Sequence, residues 1–204
     1  MFSGIIEAQS RLIKKWSSDQ ALRLLVERPV EFNDLKTGDS ICTNGVCLTI
    51  ELFTATEIQF CLGAETLHIL ANSLSRWETQ PINLERSLKF GDRVHGHLVT
   101  GHVDILGKVI RSEADGECWQ LQVEIQPPVS RFFWKKGSVG LNGVSLTVND
   151  VQSLSQQAII ISVCLIPETI KKTNLSFLKV NDYVPIEADY LAKAYFQSRE
   201  RDTL

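Results

Sequence analysis

The feature that most constrains this chain is that it carries the same segment twice. Asn44 to Ile50 reads NGVCLTI, and Asn142 to Val148 reads NGVSLTV. Four further blocks match in the same order. Ser3-Gly4-Ile5-Ile6-Glu7 pairs with Thr100-Gly101-His102-Val103-Asp104. Leu22, Leu24, Val26 and Pro29-Val30 pair with Leu121, Val123, Ile125 and Pro128-Val129. Leu62 with Glu65-Thr66-Leu67 pairs with Leu165 with Glu168-Thr169-Ile170, and Ile82-Asn83-Leu84-Glu85 pairs with Val184-Pro185-Ile186-Glu187. The spacing stays near a hundred residues and drifts only as loop insertions would make it. At that period each copy is a domain rather than one turn of a solenoid. The join between copies falls between Arg86 and His97, in RSLKFGDRVHGH.

Each copy reads as β. Cys118 to Gln126 alternates strictly, with Trp119, Leu121, Val123 and Ile125 on one face, which is the period of a half-buried strand. Ala158 to Ile166 is a nearly continuous apolar run rich in β-branched residues, and predicts a strand buried on both faces. The Asn-Gly pairs at 44–45 and 142–143 are turn signals between strands. Many short strands in about a hundred residues predict a small barrel or sandwich, and closure favours the barrel because it removes exposed edges. Only the tail reads as helical. There Leu191, Ala194, Tyr195 and Ser198 share one face, suited to packing on its own domain or on another subunit.

A net charge of −3 with no Lys/Arg block argues against a nucleic-acid or membrane surface. The five cysteines, Cys42, Cys47, Cys61, Cys118 and Cys164, are odd in number and form no CxxC pair, which predicts reduced thiols. The start MFSGIIEAQSRLIKKW lacks a basic segment followed by a long apolar core. A secretory signal is therefore not expected, and a cytoplasmic protein is.

With these segments in view, the chain resembles the riboflavin synthase family, built from two lumazine-binding repeats. The resemblance rests on MFSGII, both NGVxLT segments, GHLVTGHVD (Gly96 to Asp104), and the ETL and IPET segments at 65–67 and 166–169. It implies two tandem, similar six-stranded antiparallel Greek-key barrels over residues 1–97 and 98–190, then a C-terminal helix over 191–204. It implies a homotrimer with active sites between subunits, and an association with lumazine synthase. The implied reaction transfers a four-carbon unit between two molecules of 6,7-dimethyl-8-ribityllumazine, giving riboflavin and 5-amino-6-(ribitylamino)uracil, with no metal or redox cofactor. A reaction joining two copies of one substrate is a physical reason for two similar pockets, since holding both makes the step effectively unimolecular.

For the first repeat, the resemblance implies substrate contacts from Gly4, Ile5, Ile6, Ser40, Cys47, Leu48, Thr49, Cys61, Leu62, Gly63, Ala64, Glu65 and Thr66. For the second it implies Gly101, His102, Val103, Ser145, Leu146, Thr147, Cys164, Leu165, Ile166, Pro167, Glu168 and Thr169, with Lys136 reaching a neighbouring subunit. Cys61–Thr66 and Cys164–Thr169 are expected as strands that contact ligand. The catalytic candidates are His102, Cys47, Ser145, Thr147 and Asp189. His102 is placed first for taking a proton from the C7 methyl, because imidazole titrates in the useful range. Cys47 and Ser145 are candidates for addition at C7, a role that water could fill instead.

Each has a structural alternative: a turn glycine, a small buried thiol, a hydroxyl on backbone, a solvated lysine with Lys135 beside it, or, for Asp189, the N-cap of the tail. A site made of His95, His97 and His102 lacks a completing carboxylate or thiol, so no metal is expected. The chain departs from the family at His95, where glycine is usual, and in Ser73–Asn83, which lacks a Gly-Asp turn and is one residue longer. A non-catalytic lumazine- or flavin-binding relative is the main alternative. A pair of oligonucleotide-binding barrels is disfavoured by charge and by scattered aromatics.

Overall fold

A computed structural model describes residues 1–18, 21–154 and 158–201. Two sheets form, one per repeat. The first uses β1 (Ala8–Ser10), β2 (Leu12–Ser18), β3 (Ala21–Glu27), β4 (Ser40–Thr43), β5 (Val46–Phe53), β6 (Glu57–Leu62) and β7 (Ile82–Arg86), in the order β1-β7-β4-β5-β6-β3-β2. Only Arg11 separates β1 from β2, so these are one bent strand that pairs with β7 at one end and β3 at the other. That closes the sheet into a six-stranded Greek-key barrel.

The second sheet uses β8 (Ile105–Asp115), β9 (Cys118–Ile125), β10 (Ser138–Leu141), β11 (Val144–Thr147), β12 (Asp150–Ser153), β13 (Ile159–Leu165) and β14 (Tyr183–Ala188), in the order β11-β10-β14-β8-β9-β13-β12. Here the bend lies between β11 and β12, at Val148–Asn149, and closes the barrel in the same way. Closure leaves no edge to template aggregation. Each barrel encloses its own apolar core, one including Leu24, Val26, Ile41, Ile58, Phe60 and Leu84, the other Leu121, Val123, Leu141, Ile161, Val163 and Ile186.

Three expectations are corrected. Strand β13 is buried on one face only: Ile161, Val163 and Leu165 point inward, while Ser162 and Cys164 are half-buried on the outside. Ile160, the β-branched residue on the outer face, suits a pleated surface without needing a second cover. Cys61–Thr66 and Cys164–Thr169 are not continuous strands. They turn into α1 (Ala64–Leu70) and α2 (Pro167–Lys172). Pro167 occupies the first helical turn, where its missing N–H costs nothing, and Glu65 and Glu168 sit where the helix dipole favours a negative charge. The third correction is one of alignment. Leu22 pairs with Leu62, but Leu165, the counterpart of Leu62, pairs with Trp119 rather than Leu121. A shift of two residues preserves the inward face, so periodicity could not reveal it.

The tail helix α3 (Tyr190–Arg201) packs Ala192 and Phe196 inward, Phe196 lying edge-on to Phe132. Leu191, Ala194, Tyr195 and Ser198, the face singled out in the sequence, are all exposed. The longer Ser73–Asn83 segment forms a 3-10 turn over Leu74–Glu78. It buries Trp77 in the first barrel and sends Arg76 to the carbonyl of Tyr183 and the carboxylate of Asp182 in the second.

The barrels face each other across a local two-fold axis, and residues on that axis meet their own counterparts. Phe2 and Val99 exchange backbone hydrogen bonds of 2.8 and 3.0 Å. The two Asn-Gly turns touch backbone to backbone, Gly45 against Gly143. Asn44, Asn83, Asn142 and Asn174 form a buried amide network between them.

Candidate functional site

The close approach of the repeats builds two related sites, each using both barrels. Gly101 lies directly over Cys47. The Cys47 N–H donates to the Gly101 carbonyl at 2.8 Å, and a Cβ on Gly101 would fall 2.6 Å from that of Cys47. Gly4 lies over Ser145 with the same geometry: 2.8 Å for the hydrogen bond and 2.6 Å for the hypothetical Cβ contact. Both glycines have positive φ, +73° and +78°, so two independent constraints exclude a side chain.

What holds these glycine segments is a pair of carboxylates. Glu85 accepts from the N–H of Ser3 at 2.7 Å, its hydroxyl at 2.9 Å, and the N–H of Gly4 at 3.0 Å. Glu187 accepts from the N–H and hydroxyl of Thr100, both at 2.7 Å, and from the N–H of Gly101 at 2.9 Å. Both are buried. Burial pushes the Glu85 carboxyl above its ordinary range, against the lowering by the hydrogen bonds it accepts from Ser3, Gly4 and Ile5. Charge-assisted bonds of this kind hold backbone far more firmly than neutral ones.

The first site opens into a cavity of about 390 Å³ lined by Val46, Cys47, Glu65, Thr66, Ile69, Leu70, Gly101, His102 and Val103. Six of these were expected at a ligand, and they come from β5, α1 and the segment before β8. Volume and lining suit a flat heterocycle with a polar tail. Thr49 lies on the same outward face of β5 as Cys47 and pairs with Ser40, while Cys61, outward on β6, lies against Glu51.

At the second site Ser145 is not open. The segment before β8 crosses it, and a Cβ on Gly96 would fall 2.7 Å from the Ser145 hydroxyl oxygen. His97 follows, with Nδ1 2.7 Å from that oxygen. Its Nε2 is buried without a partner. Burial holds the imidazole below its usual pKa, the charge of Asp189 opposing. The resting state is therefore a neutral imidazole beside a hydroxyl, the arrangement of a nucleophile and its base. Thr147 is exposed on the same face of β11.

Other expected residues lie elsewhere or turn away. Leu48, Leu62, Leu146 and Leu165 point into the barrel cores, and Ile6 packs into the core of the second barrel. Strand alternation forces this on each leucine, so a ligand can meet only their backbone. Ile5 is exposed and lines a separate cavity by the linker, with Arg93 and His95. Gly63 and Ala64 start α1; Ile166, Pro167, Glu168 and Thr169 start α2, where Glu168 pairs with Lys172 at 2.8 Å. Lys136 is exposed, with φ +70°. Asp189 caps α3, accepting from the N–H of Leu191 at 2.8 Å, and also faces His97. His102 borders a second groove of about 570 Å³ against α3, with Thr100, Tyr190, Lys193 and Ala194.

Sequence reasoning does not reach Glu85, Glu187 or Gly96 as site residues, and it counts His97 in favour of an enzyme without giving it a catalytic role. The two glutamates were visible as the last residue of the INLE and VPIE blocks, but a repeated acid does not announce that it binds backbone.

The fold and the doubled site define a protein of two lumazine-binding domains in tandem, and the lumazine binding domain family matches residues 3–87 and again 100–189. Riboflavin synthase of Photobacterium phosphoreum is 34% identical over 194 residues, covering 95% of this chain and 86% of the relative. That of Mycobacterium bovis is 34% identical, covering 95% of both chains, and that of Escherichia coli K12 is 32% identical, covering 98% and 92%. The chain belongs to the riboflavin synthase family. Crystal structures of LumP complexed with 6,7-dimethyl-8-(1'-D-ribityl) lumazine and with riboflavin share the fold, each with a TM-score of 0.75, at 19% and 20% identity, over 92% of this chain and 99% of theirs.

Proposed function

We propose that the chain is a riboflavin synthase, converting two molecules of 6,7-dimethyl-8-ribityllumazine to riboflavin and 5-amino-6-(ribitylamino)uracil by transfer of a four-carbon unit. The observation that carries this reading is the reciprocal placement of Gly101 over Cys47 and Gly4 over Ser145, which provides two related sites for two copies of one ligand. Names and identities of the relatives support the same reaction.

The two sites differ where donor and acceptor must differ. At the second, neutral His97 takes a proton as an oxygen nucleophile, either the Ser145 hydroxyl or a water it orients, adds to C7 of the heterocycle. At the first, His102 lies on the wall of the Cys47 cavity, placed to take a proton from the C7 methyl of the other lumazine. Thr147 and Asp189 assist at the second site, Asp189 by its charge on His97. Low sequence identity limits the LumP comparison to fold, so it does not favour a binding-only reading.

The outward face of α3 is the proposed trimer contact. Trimerisation would bring Lys136 toward a neighbour's ligand and set sites between subunits, and the barrels would divide at residues 97 and 98. A cytoplasmic location and association with lumazine synthase belong to the same reading. The test is to supply purified protein with 6,7-dimethyl-8-ribityllumazine alone. Riboflavin formed at one molecule per two consumed supports the proposal; ligand bound without product rejects it.

A further inference from the structure

The repeats differ at one more matched pair of positions. In the first barrel the turn Asn44-Gly45 joins β4 to β5, so that Cys42 stands directly opposite Cys47. In the second barrel the same register places Gly140 opposite Ser145. Two thiols thus replace a glycine and a hydroxyl, and both changes occur in one barrel.

Directly opposed residues of an antiparallel pair point to the same face. Thr43 and Val46 flank the two-residue turn as one pair, and Cys42 and Cys47 follow as the next, the kind whose side chains approach most closely. The Cys47 N–H confirms this, being donated to Gly101 rather than to Cys42. Opposed Cβ atoms in such a pair lie about 4.5–5.5 Å apart, just beyond the roughly 3.5–4.5 Å of a disulfide. Little movement is needed to close the bond. Cys47 packs against the cluster of Phe2, Cys42 and Val99 on one side and lines the open cavity on the other. Cys42 itself is fully buried.

We infer that Cys42 and Cys47 form a dithiol that hydrogen peroxide oxidises to a reversible disulfide, withdrawing the Cys47 thiol from the first site. The order of events follows from access. Cys47 attacks the peroxide oxygen, the O–O bond breaks, and water leaves with Cys47 as sulfenic acid. The Cys42 sulfur then attacks the Cys47 sulfur, a second water leaves carrying the Cys42 proton, and the S–S bond forms. Two thiol hydrogens and two electrons pass to the peroxide, which becomes two waters. Cys42 is the resolving partner because Cys47 lines the cavity while Cys42 is buried, and burial, with Glu85 and Glu187 nearby, raises its pKa, so it gives up its proton only as it attacks. The disulfide also protects Cys47 from irreversible overoxidation. That this blocks catalysis rests on the function proposed above; the bond itself does not.

The experiment oxidises the full chain with hydrogen peroxide, then unfolds it in alkylating reagent and maps the five cysteines. Protection of Cys42 and Cys47 together, with Cys61 alkylated on the same tryptic peptide and dithiothreitol restoring both, is the expected result. Turnover on the lumazine should fall at least tenfold on oxidation and return on reduction. Cys42→Ala, which keeps a small apolar side chain in a place where the second barrel has glycine, should match the wild type when reduced and lose the reversible protection of Cys47. A protected pair elsewhere, such as Cys118 with Cys164, or stable oxygen addition at Cys47 with Cys42 alkylated, would overturn the inference. The mapping decides this whether or not the reduced chain turns over, so failure here and failure of the proposed function remain distinct.

Discussion

The two barrels share one scaffold and differ in residues at their two sites. In the first, a thiol lines an open cavity beside His102. In the second, a hydroxyl is covered by Gly96 and bonded to a half-buried imidazole. The scaffolding is the reverse case. Glu85 and Glu187 grip their glycine segments with the same three kinds of bond, and Phe2 meets Val99 as two-fold symmetry requires. Duplication kept the parts that set geometry and let the residues at the two sites diverge. Under the proposed function, that division suits a reaction between two copies of one substrate.

Several substitutions break or sharpen this contrast. The largest effect is expected from His97→Gln, which should lower kcat by about 10²–10³-fold with ligand affinity within a few fold. His102→Gln should also lower turnover far more than binding, and unchanged turnover in either variant would remove that residue from the chemistry. The pH dependence separates them. A depressed imidazole pKa means that His97 stays neutral through pH 7 and gains its proton only below the ordinary histidine range. The activity that needs it as a base should therefore hold near neutrality and fall on the acid side, and His97→Gln should erase that limb of the kcat profile.

Next in size are Gly4→Ala and Gly101→Ala. Each combines a positive φ with a Cβ 2.6 Å from a neighbour's, and should cost about 2–4 kcal/mol in urea denaturation. Gly101→Ala should displace ligand at the Cys47 cavity, and Gly4→Ala at Ser145. Equal loss at both sites would mean that the sites are not independent.

The smallest effect concerns the amide network. In the first barrel the Asn83 N–H donates to the Asn44 side-chain oxygen at 2.9 Å. In the second, Pro185 occupies the matching position, has no N–H, and leaves the Asn142 side-chain oxygen buried without a donor. Pro185→Ala restores a donor and should gain about 0.5–1 kcal/mol, read as a higher midpoint in thermal unfolding. A loss would mean that proline's restriction of the unfolded chain outweighs the orphaned oxygen.

Most of the fold was legible because duplication and alternation act over long stretches. The strict pattern of Trp119 to Ile125 could only be a one-sided strand, and two Asn-Gly turns fixed the hairpins that meet on the axis. Periodicity alone misread Ile159–Leu165, since an apolar run looks alike whether one face or both are covered. Within the site, the wall around Cys47 was legible through Glu65, Thr66, Gly101 and His102, which the repeat placed in matched blocks. The leucines between them were not separable in sequence, yet alternation turns every one inward. His97 on Ser145 was hidden for a different reason. It is brought there by the inter-barrel segment, and no local pattern specifies where a linker will lie. The stripe of Leu191, Ala194 and Tyr195 on α3 follows from helical spacing, but its exposure depends on which face Phe196 and Ala192 claim.

The central claim is that one chain holds two copies of one ligand in two unequal sites. The most direct measurement is an equilibrium titration of the His97→Gln chain, slowed in turnover, with 6,7-dimethyl-8-ribityllumazine, counting ligands bound per chain. The account predicts two, with distinct affinities, and loss of one when Gly101→Ala is added. A single ligand per chain, unaffected by Gly101→Ala, would contradict it.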